Sequence, residues 1–184
     1  PVMHNPTLGN VGLLMRLWSV VLAGNLIGTA VAAWAFNYMP IFDEPTRQAF
    51  VSIAEDVMKN SPTEMFANAI ISGWLVATMV WMFPVAGAAK IVVIILMTWL
   101  IALADTTHIV VGSVEILYLV FNGNLPWSDF IWPFALPTLA GNICGGTFIF
   151  ALLSHAQIRN DMSSKRKAEA RAQAAEKGKK ADRA

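Results

Sequence analysis

Three stretches of the chain, Leu17–Phe42, Met65–Ala89 and Phe130–Ile158, contain no Asp, Glu, Lys or Arg. Each exceeds the roughly 20 apolar residues that a helix needs to cross the hydrocarbon core of a bilayer. A fourth apolar region, Ile91–Phe121, is interrupted by Asp105, His108 and Glu115. The pattern predicts an all-α integral membrane protein with spans at about 14–38, 65–87, 91–121 and 131–158. Together they form a transmembrane domain over 1–160, followed by a basic tail at 161–184. Held as one helix, Ile91–Phe121 would be roughly 47 Å long at about 1.5 Å per residue, well beyond a core of about 30 Å. Its middle carries two ionisable side chains, several β-branched residues and Gly112, all poor helix formers. This predicts a broken penultimate span, interrupted near 105–112. Between the first two spans, Ala49, Phe50, Ile53, Ala54, Val57 and Met58 recur at helical spacing and predict a short amphipathic helix lying on the surface.

Composition agrees. Of 184 residues, 56% are apolar and 14% charged, against about 45–50% and 25% in soluble domains. That excludes a soluble globule, a disordered chain and a nucleic-acid binder. Eight of the 13 Lys and Arg fall in Lys165–Ala184, and the other five are Arg16, Arg47, Lys59, Lys90 and Arg159. Basic residues at span ends favour the cytoplasm, so the tail, Lys90 and Arg16 are expected on that side. Trp18, Trp34, Trp81, Trp127 and Trp132 lie near predicted span ends, as interfacial anchors do. Cys144 is the single cysteine, which excludes an intrachain disulfide and a multi-cysteine cluster; no metal or cofactor is expected.

Leu22-Ala23-Gly24-Asn25-Leu26-Ile27-Gly28 recurs as Leu139-Ala140-Gly141-Asn142-Ile143-Cys144-Gly145. The first and fourth spans of one chain must run in opposite directions, so the copies read as an inverted-topology repeat. Gly24/Gly28 and Gly141/Gly145 have the spacing that lets helix backbones approach closely. Asn25 and Asn142 are expensive in lipid, so each should face protein or a pore. With three helices to a repeat, two further spans would precede the first, making these the third to sixth of six.

Ionisable groups at membrane depth point to function. On an unbroken helix Asp105 and His108 would be neighbours three residues apart, with the carboxylate orienting the ring or favouring its cation. Asp105, His108, Thr106, Thr107, Asn142 and Asn25 are therefore the candidate pore or substrate residues. An acid/base enzyme lacks a nucleophile nearby other than the threonine hydroxyls. Two rival functions are a structural or regulatory membrane subunit, in which Asp105 and His108 only join helices, and a channel for a small neutral solute.

The paired Gly-Asn-x-x-Gly motifs, the broken span with one central His108 and the basic tail resemble the formate/nitrite transporter family, over about Val11–Arg159. The pattern is nearer to an uncharacterised inner-membrane branch than to the formate and nitrite channels proper. The resemblance implies an aquaporin-like bundle of two inverted three-helix repeats, assembled as a pentamer in the bacterial inner membrane. Each protomer would carry a pore for a small monovalent anion or its conjugate weak acid. Where typical members have Glu before the central His and Asn four residues after it, this chain has Thr107 and Gly112. A pore Asn of the family's fourth span falls at Gly73.

Overall fold

The computed structural model describes residues 7–151, and within them the chain is helical throughout with no strand. Helix α1 (Leu8–Tyr38) begins where the Thr7 hydroxyl accepts the Asn10 N–H, and it starts about two turns before the predicted span. Helix α2 (Glu44–Met58) follows, then α3 (Pro62–Ala86) and a tight turn at Gly87–Ala89. Next come α4 (Lys90–Leu103) and α5 (Ile109–Phe121). The last span is built in pieces. A short turn at Trp127–Asp129 leads through an irregular stretch, Phe130–Ala135, into α6 (Leu136–Ile143), which continues with widened turns over Cys144–Ile149. Its kink has a local cause: Trp132 has extended dihedrals (φ −136°, ψ 121°) and Pro133 follows it. A residue before proline is pushed out of the helical region, and proline itself has no N–H to give. The tail 161–184, the end of the last span, His4, His155 and Arg159 lie outside the described residues.

Helix directions follow from side-chain ties. The Tyr38 hydroxyl donates to the Phe121 carbonyl at 2.9 Å, so α1 and α5 end together and run parallel. The last span turns back after Asn122–Pro126 and therefore runs against α1. Gly141 faces Phe66 and Ala69 while Gly145 faces Ile70 and Trp74, so α6 runs parallel to α3. The first and last helices, which carry the two motif copies, thus run in opposite senses.

The apolar surface is turned outward. Ile91, Val92, Ile95, Trp99 and Leu103 of α4 are exposed, as are Leu13, Leu17, Val20, Ile27 and Val31 of α1. Two stretches, Leu8–Tyr38 and Pro62–Leu103, are long and apolar enough to cross a membrane, and Ile109–Phe121 is a shorter apolar helix. The buried centre is small. Met65, Ala69, Ile116, Phe134 and Ala54 are fully enclosed, beside the polar Ser72, Ser113 and Thr138.

Helix α2 forms as its spacing predicts, but its apolar face packs against protein. Ala54 lies in one core cluster with Met65, Ile116, Leu119 and Phe134. Phe50 meets Phe36, Phe42 and Tyr118, with ring centroids 5.0–6.1 Å apart. Arg47, on α2, is tied to the end of α1. Its guanidinium donates to the carbonyls of Asn37 (3.0 Å) and Met39 (2.9 Å) at the end of α1, and more weakly to Phe42. A cation at a helix C-terminus meets the negative end of the dipole and the unpaired carbonyls there.

Candidate functional site

The break in the penultimate span is shorter than predicted and lies earlier, at Ala104–His108. Asp105 adopts a left-handed conformation (φ +48°) that ends α4, and Thr106 donates both its N–H (3.2 Å) and its hydroxyl (3.1 Å) to the Ile101 carbonyl. The β-branched residues Ile109–Val111 and Gly112, expected within the break, are helical instead. Packing against the neighbouring helices outweighs a propensity deficit of a few tenths of a kcal/mol per residue.

A helix beginning at membrane depth leaves its first N–H groups without intrahelical partners. His108 occupies the N-cap position, and its side chain caps nothing. The cap comes from another helix. Asn142 Oδ1 accepts the Ile109 N–H at 2.9 Å, while its Nδ2 donates to the Ala69 carbonyl (2.8 Å) and to Ser72 Oγ (3.0 Å). The Ser72 hydroxyl also bonds the Thr107 carbonyl, and the Thr107 hydroxyl donates to the Met65 carbonyl at 2.9 Å. One amide thus joins α3, α5 and α6 around the break.

These bonds reassign several candidates. The sequence suggests that Asn142 offers its amide to a permeant, but both of its N–H donors and one acceptor position of its oxygen serve protein groups. The Thr106 and Thr107 hydroxyls likewise donate to backbone carbonyls. Asp105 and His108 do not pair, because the left-handed turn removes the helical geometry that would have stacked them; among the described residues the sole ion pair is Lys59–Asp56. Asp105 is exposed and His108 half-buried. His108 Nδ1 is enclosed and has no hydrogen-bond partner.

The glycines are used unequally. A Cβ on Gly141 or Gly145 would overlap the Phe66 or Ile70 carbonyl oxygen, so α6 sits backbone-to-backbone on α3. Gly24 and Gly28 face open space, and Asn25 is exposed.

Two residues at which the chain departs from the family pattern have steric reasons. A Cβ at Gly73 would lie 2.5 Å from the Asn142 carbonyl oxygen, so any side chain there would displace the capping amide. At Gly112 it would lie 2.8 Å from the ring of the fully buried Phe134. Ser72 and Glu115 are not among the candidate pore residues read from the sequence, although Glu115 is one of the side chains that interrupt Ile91–Phe121. For Ser72 no local signal exists. Glu115 has one, because it follows His108 by seven residues, two turns along one helix face. It borders a cavity of about 430 Å³ between α1, α2 and α5, with Phe36, Phe50, Val111, Val114 and Tyr118. His108 is not among the residues lining that cavity.

The penultimate apolar helix is thus broken, and its second half is capped by a side-chain amide beside a half-buried histidine. The family comparison names the class: residues 2–156 match the model described as Formate/nitrite transporter, and the chain belongs to that family of integral membrane helical bundles. It is also similar to the inner membrane protein YfdC of Escherichia coli (strain K12), 83% identical over 174 residues. That match takes in 95% of this chain and 56% of the relative, so the chain spans little more than half the length of that protein. No solved structure matches.

Proposed function

We propose that the protein conducts a small monovalent anion, or its conjugate weak acid, across the bacterial inner membrane through a pore in each protomer, with His108 at the midpoint. The observation that carries this reading is His108 itself: a half-buried imidazole at a helix break, with one ring nitrogen enclosed and lacking a partner. A charge at the bilayer centre costs from about 2.5 to over 10 kcal/mol. A donor at that point lowers the cost, either by attracting the anion as imidazolium or by protonating it so that a neutral acid crosses. The N-terminal end of α5 adds a partial positive charge at the same depth.

The alternative permeant is a small neutral solute, which suits the apolar and aromatic cavity bordered by Glu115. The inverted repeat, a pentameric assembly and a cytoplasmic tail complete the proposal. Family membership and the opposed directions of α1 and the last helix support it.

The test is uptake of formate, nitrite and neutral solutes of similar size by proteoliposomes of the full-length protein under an imposed pH gradient. His108→Ala is expected to abolish pH-dependent uptake. Unchanged uptake would remove His108 from the mechanism.

A further inference from the structure

The cavity between α1, α2 and α5 has a volume of about 430 Å³, and the rings of Phe36, Phe50 and Tyr118 stand in its wall. Val111, Val114, Glu115 and Tyr118 reach it because they follow one face of α5, three and four residues apart. The rings hold one another in place. Phe50 stacks on Phe36 with centroids 6.1 Å apart and meets Tyr118 edge-on at 5.7 Å. Glu115 is out of keeping with this wall. Among the described residues its carboxylate has neither a hydrogen bond nor a cation. Lys59 is held by Asp56, Arg47 reaches carbonyls at the end of α1, and neither lines the cavity. The other charge acting on Glu115 is again a carboxylate, Asp105. Tyr118, only 3% exposed, donates its hydroxyl to no protein group among the described residues.

We propose that this cavity binds a small organic ammonium ion, with its charge against Glu115 and its alkyl groups among the three rings. A half-buried carboxylate without a partner is costly, and an apolar segment laid over it would raise the cost. A cation removes that cost. Aromatic rings add to the attraction, because the negative face of the ring quadrupole draws a cation and best holds one that sheds its water readily. An anion would meet two carboxylates, and a neutral solute would leave Glu115 without a counter-charge. A calcium ion takes roughly six to eight oxygen ligands, whereas this wall offers one carboxylate and one hydroxyl. The volume suits an organic molecule, since small-molecule sites span about 300–1,000 Å³. His108 does not line the cavity, so the site does not depend on the role given to that ring.

The experiment compares choline with 3,3-dimethylbutan-1-ol, a neutral molecule of the same shape. Binding is measured by saturation-transfer NMR on the full-length protein in nanodiscs free of choline lipids, with empty nanodiscs subtracted. Choline should bind at least about tenfold more tightly than the alcohol. Glu115→Gln should weaken choline at least about tenfold and leave the alcohol unchanged, which shows the cavity intact. Phe36→Leu keeps apolar bulk but removes a ring, and it should weaken choline about threefold or more without affecting the alcohol. That variant carries the test should Glu115→Gln fail to fold. Equal affinity for choline and the alcohol would overturn the proposal. So would choline binding that neither substitution changes, or no choline binding to the full-length protein. None of these readouts requires flux, so this inference and the role of His108 fail separately.

Discussion

Replacing Asn142 by alanine removes three hydrogen bonds at once, to the Ile109 N–H, the Ala69 carbonyl and Ser72 Oγ. They are not equal. The Ala69 carbonyl lies inside α3, where the N–H four residues on still donates to it, so it keeps a partner. The Ser72 hydroxyl retains its bond to the Thr107 carbonyl. Hydrogen bonds of this kind inside membranes average about 0.6 kcal/mol, which puts these two near 1 kcal/mol together. The Ile109 N–H is different. It opens α5 at membrane depth with no carbonyl four residues back in a helix to receive it, and an unsatisfied buried donor costs about 1–3 kcal/mol. The expected destabilisation is therefore roughly 2–4 kcal/mol. It should be read by reversible unfolding of the full-length protein in mixed micelles, with faster amide exchange in the peptide that spans 104–112. A cycle with Ser72→Ala should show coupling of about 0.5–1 kcal/mol between the two side chains, since contacting residues are not additive. A loss below about 0.5 kcal/mol, less than the cost of leaving even one buried donor unpaired, together with unchanged exchange at the break, would refute the capping role.

Other outcomes follow from the same geometry. Gly145→Ala forces a methyl into the Ile70 carbonyl and should destabilise by about 1–3 kcal/mol as overpacking does, whereas Gly12→Ala should not; thermal unfolding distinguishes them. Arg47→Lys replaces a fork reaching three carbonyls with a single ammonium and should cost about 1–3 kcal/mol, since bonds to charged groups are the stronger ones and these are partly exposed; unfolding of the purified protein measures it. The Asp43 carboxyl at the start of α2 is held below the ordinary carboxylate range by the Thr46 side chain and, second, by its N–H. A group whose pKa is depressed on folding stabilises above its unfolded value and loses that contribution as pH falls through its folded value. Amide exchange in the first turn of α2 should therefore accelerate on acidification below about pH 4 and lose that pH dependence in Asp43→Asn.

Much was legible along the chain, for reasons tied to particular residues. The absence of charge from Leu17–Phe42 and Met65–Ala89 required helices in an apolar solvent, because no other backbone arrangement but a closed barrel satisfies its own polar groups there. The spacing of Phe50, Ala54 and Val57 gave α2, and the repeated Gly-Asn-x-x-Gly gave the pair of opposed helices. The break between Ala104 and His108 could be anticipated from excess length and from Asp105. Its boundaries could not, since packing against neighbouring helices and the Asn142 cap together hold Ile109–Val111 in α5.

Solvent preference is a property of each residue and its neighbours in sequence, so apolar helices and a break in one of them were determined by the sequence alone. Which asparagine is consumed by protein and which stands open was decided by tertiary structure. That distinction depends on whether another backbone lies within hydrogen-bonding distance. Asn25 and Asn142 have nearly the same local sequence and opposite surroundings. Asp105 and His108 are likewise close in sequence and separated in space, because a single left-handed residue redirects the chain between them.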